Sequence, residues 1–183
     1  PYSWNGNLAY KQNAEVTISN FNFTSGMFSL KAWTSQPNGS GECNHYNDTL
    51  QTQVAVSLCG TYTIGGNNPV FSTFSEASAV LNNAGVSCPV VFKVRDGEYN
   101  EQFILRNIPG SSSVNTITFE SESGDSSAVL IRYQVDQSIM VNLKKAKYIT
   151  FRNLGFQGYH GLFIDDSSHH ISVEHCSFNG WRY

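Results

Sequence analysis

Apolar residues over the first 58 positions fall on alternate sites. "EVTISNFNF" sets Val16 and Ile18 on one face, "MFSLKAW" sets Phe28 and Leu30 together, and "LQTQVAVSL" aligns Leu50, Val54, Val56 and Leu58. A period of two is the pattern of a strand with one buried face. The polar stretch "TSQPNGSGECNHYND" between the last two runs reads as a turn-forming loop. Three or four strands are therefore expected, where an immunoglobulin-like sandwich has about seven. Residues 1–58 read as the C-terminal part of such a sandwich, and the chain as a piece of a longer protein.

The pattern changes after "GTYTIGGNNPV". In "STFSEASAVLNNAG", Thr73 and Glu76 have capping-box spacing, Phe74, Ala77 and Leu81 share a face, and Gly85 follows the end. This predicts one helix over about 73–84, placed to cap the open end of a stack of strands. From residue 90 short apolar runs recur: "VVFKV", "QFILR", "TITFE", "AVLIR", "SIMVN", "YITF", "LFID" and "HISV". Gly, Asn, Asp and Ser fill the breaks between them.

Two of these runs align with each other. "YITFRNLGFQGY" and "HISVEHCSFNGW" are offset by 22 residues, so Ile149 meets Ile171, Phe151 meets Val173, Leu154 meets Cys176, Phe156 meets Phe178 and Gly158 meets Gly180. A self-match of about 20–25 residues with several strands per unit is the signature of a parallel β-solenoid. Successive turns lie about 4.8 Å apart, so equivalent residues touch. Ile149/Ile171 and Phe156/Phe178 are expected to form interior ladders, and Arg152 with Glu174 an outward ion pair between turns.

Composition narrows the class. The 183 residues carry a formal net charge of −3, with 14% charged residues, 40% hydrophobic residues, 15 Gly and 12 Phe. That balance leans to an all-β extracellular protein, excludes a nucleic-acid partner on charge, and contains no apolar run long enough for a transmembrane segment. The four cysteines, Cys43, Cys59, Cys88 and Cys176, show no zinc-type spacing. Cys59 and Cys88 each precede a β-rich run. If those runs pair, the thiols meet and a disulfide can form in a secreted protein. Cys43 is then left over, and Cys176 reads as a buried thiol.

"LCGTYTIGG", "FSTFSEASAVLNNAGVSCPVVFKVRDGEYNEQ" and "NTITFESESGDSS" resemble the right-handed parallel β-helix (pectin-lyase-like) proteins secreted by Bacteroidota. "YSWNGNLAYKQNAEVTISNFNFTSGMFSLKAWTSQPNG" with "NDTL" resembles the second half of the cell-adhesion-related immunoglobulin-like module that precedes the helix in large members. The expected fold is all-β: a partial immunoglobulin-like β-sandwich over 1–58, then the cap helix and first coils of a right-handed parallel β-helix over 59–183. The resemblance implies a secreted or outer-cell-surface location, export by the type IX secretion machinery, and an adhesin-like role. It also marks Thr49, in Asp48-Thr49-Leu50, as an O-glycosylation candidate; an ordinary loop-to-strand junction is the competing reading.

The chemistry is concentrated in "DDSSHHISVEH", which holds Asp165, Asp166, His169, His170, Glu174 and His175. Polygalacturonase-type enzymes use paired Asp residues as acid and base, which makes Asp165, Asp166 and His169 the catalytic candidates. Here the Gly-Tyr-His-Gly element precedes the Asp pair, an order reversed from that family's, and its Asn-Thr-Asp and Arg-x-Lys elements are absent. Adjacent strand residues also point to opposite faces. "RNIPG" lacks the Arg-x-Pro-x-x-Arg spacing of Ca²⁺-dependent pectate lyases, so no cofactor is expected and Ca²⁺ is the single candidate. A histidine metal site meets the same geometric objection, and no metal is assigned. "DGEY" (96–99) reads as a structural turn. The sequence thus favours a scaffold that contacts a polysaccharide or cell-surface glycan, with Trp33, Tyr46, Trp181 and Tyr183 as aromatics able to stack on sugars. A polysaccharide lyase or glycoside hydrolase with its active site on later coils is the alternative.

Overall fold

The computed structural model describes residues 2–23, 26–35, 49–133, 139–165 and 167–180. Near the N-terminus, β1 (Gly26–Trp33) and β2 (Thr49–Val56) form an antiparallel pair. Both strands are largely exposed along their length. The segment 2–23, with Val16 and Ile18, forms no strand; its structure is a turn at Tyr10–Lys11 and extended, mostly exposed chain.

The remaining strands are parallel. They are β3 (Leu58–Ile64), β4 (Val86–Val94), β5 (Gly97–Asn100), β6 (Phe103–Leu105), β7 (Ile117–Ser121), β8 (Val129–Tyr133), β9 (Ile139–Lys144), β10 (Lys147–Arg152), β11 (Gly155–Gly158), β12 (His160–Asp165), β13 (His169–Glu174) and β14 (Ser177–Gly180). They lie in three sheets, ordered β13-β10-β7-β4-β3, β14-β11-β8-β5 and β12-β9-β6. The chain visits the sheets in rotation, so each circuit lays one strand on the last in all three.

The expected composite of a partial immunoglobulin-like sandwich followed by a β-helix is therefore corrected. The chain is mostly strands with one short helix and parallel sheets in several stacks. The finding that overturns the sandwich is the hairpin β1–β2, which has no facing sheet among the described residues. A period-two pattern shows only that a strand could bury one face. Without a second layer, Ile18, Trp33 and Leu50 stay exposed.

The helix α1 (Phe74–Ala84) forms for local reasons and is tied down by distant ones. Thr73 Oγ1 accepts from Glu76 N at 3.0 Å, and Glu76 Oε2 accepts from Ser72 N at 2.8 Å. From the turn after β5, Glu101 accepts from Phe74 N and Ser75 N at 2.9 and 2.8 Å, placing a carboxylate on the positive end of the helix. On the other flank, Asn82 mimics a neighbouring strand: its Nδ2 donates to Ile104 O and its Oδ1 accepts from Arg106 N, both at 2.8 Å. The helix thus covers the free edge of β6. Gly85 ends it at φ 70°, where a Cβ would sit 2.2 Å from Pro109 O.

Inside the sheets runs an aromatic column. Phe92 stacks on Phe119 at 4.6 Å and Phe119 on Phe151 at 5.5 Å; Phe74 joins them from the helix. These four rings are fully buried, and burying each stabilises by about 1.5–3 kcal/mol relative to leaving it in water. Cys59 and Cys88 are joined in a disulfide between the starts of β3 and β4, 29 residues apart in sequence.

Candidate functional site

Backbone corners recur within and beside the polar stretch at residues 165–175. Lys145 and Ser167 have φ 57° and 62°, Tyr148 and His170 have 57° and 56°, and Asn153 and His175 have 53° and 51°. Each pair is separated by the same 22 residues as the apolar ladder. Left-handed conformations are uncommon outside glycine, though Asn and His tolerate them better than most. His170, near the start of β13, and His175, just after its end, are thus corner residues repeated from one circuit to the next. The sequence signal was available: the offset that aligns Ile149 with Ile171 also aligns these corners.

Asp165 ends β12 opposite Lys144 in register, and its carbonyl accepts from Ser168 N at 3.1 Å in the turn that follows. Asp166 lies outside the described residues, as do Asp48, Cys43, Tyr46, Trp181 and Tyr183. His169 opens β13 opposite Lys147. Its Nδ1 lies 2.5 Å from Nδ1 of His170, so one nitrogen donates and the other accepts. The ring of His170 stacks on Tyr148 at 4.5 Å. Among the described residues no group of three or more His, Cys, Asp or Glu side chains is arranged to hold a metal ion.

Beside this stack is an open depression of about 300 Å³ lined by Asn107, Lys145, Lys147, Ser167, Ser168 and His169. The Ser168 hydroxyl shapes it, donating to Leu143 O and accepting from Ala146 N, both at 3.1 Å, so that one turn is pinned to the previous one. Two ammonium groups, an imidazole, an amide and hydroxyls surround the space, with no carboxylate among the described residues that line it. Such a surface can hold an anionic or hydroxyl-rich group. The sequence reading missed Asn107, Lys145 and Lys147 because lysines in a turn carry no motif.

Other singled-out residues have structural settings. Arg152 Nε donates to Glu174 Oε2 at 2.8 Å, and Arg152 also pairs with Glu120 at 3.1 Å. Glu120 in turn meets Lys93 Nζ at 2.5 Å, so the pair belongs to a four-residue ladder, Lys93–Glu120–Arg152–Glu174, across β4, β7, β10 and β13. Hydrogen bonds from Arg152 and then Ser172 hold the Glu174 carboxyl below the usual carboxylate range. Burial pushes the Cys176 thiol up, which keeps it protonated and a poor nucleophile at neutral pH. Tyr99 of "DGEY" packs inward, its hydroxyl donating to Arg95 O at 2.7 Å. Thr49 begins β2 and is exposed.

No helix of the described residues is long and apolar enough to cross a membrane. Comparison with known protein families, with curated proteins and with solved structures finds nothing that matches this chain.

Proposed function

We propose that this chain is a region of a secreted or cell-surface protein, exported by the type IX route, that contacts carbohydrate in an adhesive role and carries no catalytic set of its own. The observation that supports it is the open depression lined by Lys145, Lys147, His169, Asn107, Ser167 and Ser168, where two lysines, a histidine, an amide and hydroxyl groups surround one space. These donors suit the hydroxyls and acidic substituents of a sugar. Acid/base hydrolysis needs two carboxylates facing each other across a cleft, and none of the described residues lining this space is a carboxylate. The Cys59–Cys88 disulfide is in keeping with an oxidising compartment.

The test is a titration of the chain with neutral and acidic oligosaccharides, followed by amide chemical shifts and by release of reducing or unsaturated ends. Shifts confined to residues 145–148 and 167–170, weakened about fivefold to tenfold by Lys145→Ala or Lys147→Ala, are expected. Bond cleavage, or binding indifferent to both substitutions, would overturn the reading.

A further inference from the structure

The depression that holds Lys145, Lys147 and His169 is a corner built from successive circuits of the chain. Asn107 follows β6, Lys145 lies between β9 and β10, Lys147 opens β10, and Ser167, Ser168 and His169 lead from β12 into β13. β6, β9 and β12 are neighbours in one sheet, and Lys147 lies opposite His169 in register. The donors therefore stand at three levels, each about 4.8 Å from the next.

Not all of these groups are open to a ligand. Ser168 is committed to the wall, its hydroxyl held between Leu143 O and Ala146 N. His169 meets His170 through Nδ1, so Nε2 is the ring nitrogen left to address a ligand, and it carries the proton when His170 is the donor of that contact. Among the described residues no carboxylate pairs with Lys145 or Lys147, and Asp165 on β12 stands in register opposite Lys144.

This donor set separates two substituents that carry the same single negative charge. A uronate carboxylate has two oxygens in one plane, and its best protein partner is the planar fork of arginine, which offers two parallel N–H bonds. No guanidinium is among the described residues that line the depression. Lysine ammonium groups are point charges without such a plane. A sulfate ester carries three terminal oxygens splayed from one sulfur. Donors at three levels can each take one of them: Asn107 from one side, the lysines at the middle level and His169 from the other.

We propose that the depression is a subsite for the sulfate ester of a sulfated sugar, and that it prefers this group to the carboxylate of a uronate. The proposal rests on the carbohydrate reading above and adds the substituent. A space of about 300 Å³ is at the small end of ligand sites and suits a single substituted ring.

The test uses three galactose trisaccharides that differ only at C6: unmodified, oxidised to the carboxylate, and esterified with sulfate. Titrated into the chain and followed by amide shifts at 145–148 and 167–170, the sulfated trimer is expected to bind about tenfold more tightly than the carboxylate, and the neutral trimer most weakly. Lys147→Arg, which brings in a planar fork, should narrow that preference by improving the carboxylate. Lys145→Ala should weaken the sulfated trimer about tenfold, and the neutral one less. Equal binding of the sulfated and carboxylate trimers, or a carboxylate preference, would overturn the proposal and leave the carbohydrate reading standing. Binding of none of the three would overturn both. Inorganic sulfate held as tightly as the sulfated trimer would assign the corner to a free oxyanion and overturn the proposal as well.

Discussion

At the helix-covered end, Phe74 and Phe92 are fully buried and the backbone N–H groups of Phe74, Ser75 and Glu76 each donate to a side-chain oxygen. At the open end, apolar residues in the same register are not buried. Phe156 is 1% exposed and Phe178 52%; Phe151 is 0% exposed and Val173 40%; Leu143 is 0% exposed and Ile164 51%. The members of each pair are apolar and in register, so the difference in burial comes from position in the stack. A residue here is core because another strand lies on each side of it. Its own hydrophobicity is necessary but does not suffice.

The largest expected effect sharpens that contrast. Phe151→Ala removes a ring stacked within the column and should destabilise by about 3–5 kcal/mol, whereas Phe178→Ala should cost under about 1 kcal/mol. Urea or guanidinium unfolding of the two variants measures both. Equal losses would mean that Phe178 is covered in solution and that the two ends are alike.

The disulfide offers the next test. It joins β3 to β4 at the covered end and closes a segment that includes α1, so replacing Cys59 and Cys88 by Ser should lower stability by about 3 kcal/mol through the freer unfolded chain. Exchange in β13 and β14 should respond less than exchange in α1, since local opening of the far edge does not require the covered end to unfold.

The smallest effect is at the charge ladder. Glu174 has a lowered folded pKa, so its ion pair with Arg152 contributes stability that is complete above the ordinary glutamate pKa of about 4.3. That contribution is lost as pH falls through the lowered value. Arg152→Gln should flatten this part of the acid limb, seen in thermal melts between about pH 5 and 2. The acid limb kept by the variant is expected to include Asp125, whose carboxyl is lowered independently by hydrogen bonds from Ser127.

Several features were legible from residues alone. Thr73, Glu76 and Gly85 bound the helix because capping is local chemistry, satisfied within a few residues. The 22-residue offset set the pairing of Ile149 with Ile171 and Phe156 with Phe178, since parallel strands bring equal positions together. The polar candidates were harder to read, because Asp165, His169, His170 and His175 look like a cluster in one dimension, whereas Asp165 ends β12, His169 and His170 open β13 and His175 follows it. The hairpin half was misjudged for a related reason. Alternation in residues 1–58 is compatible with a sandwich, but only a facing sheet can make one.

What the sequence by itself determined, then, was local and periodic: a capped helix, alternating strands, and a repeat that dictates register. Only the tertiary structure decided which side chains those strands bury and which distant groups complete them. Glu101 caps a helix 26 and 27 residues away, Asn82 seals the edge of β6, and Glu120 holds Lys93 and Arg152 together. The physical reason is that burial and charge pairing are properties of neighbours, and in stacked parallel strands the neighbours come from other circuits of the chain.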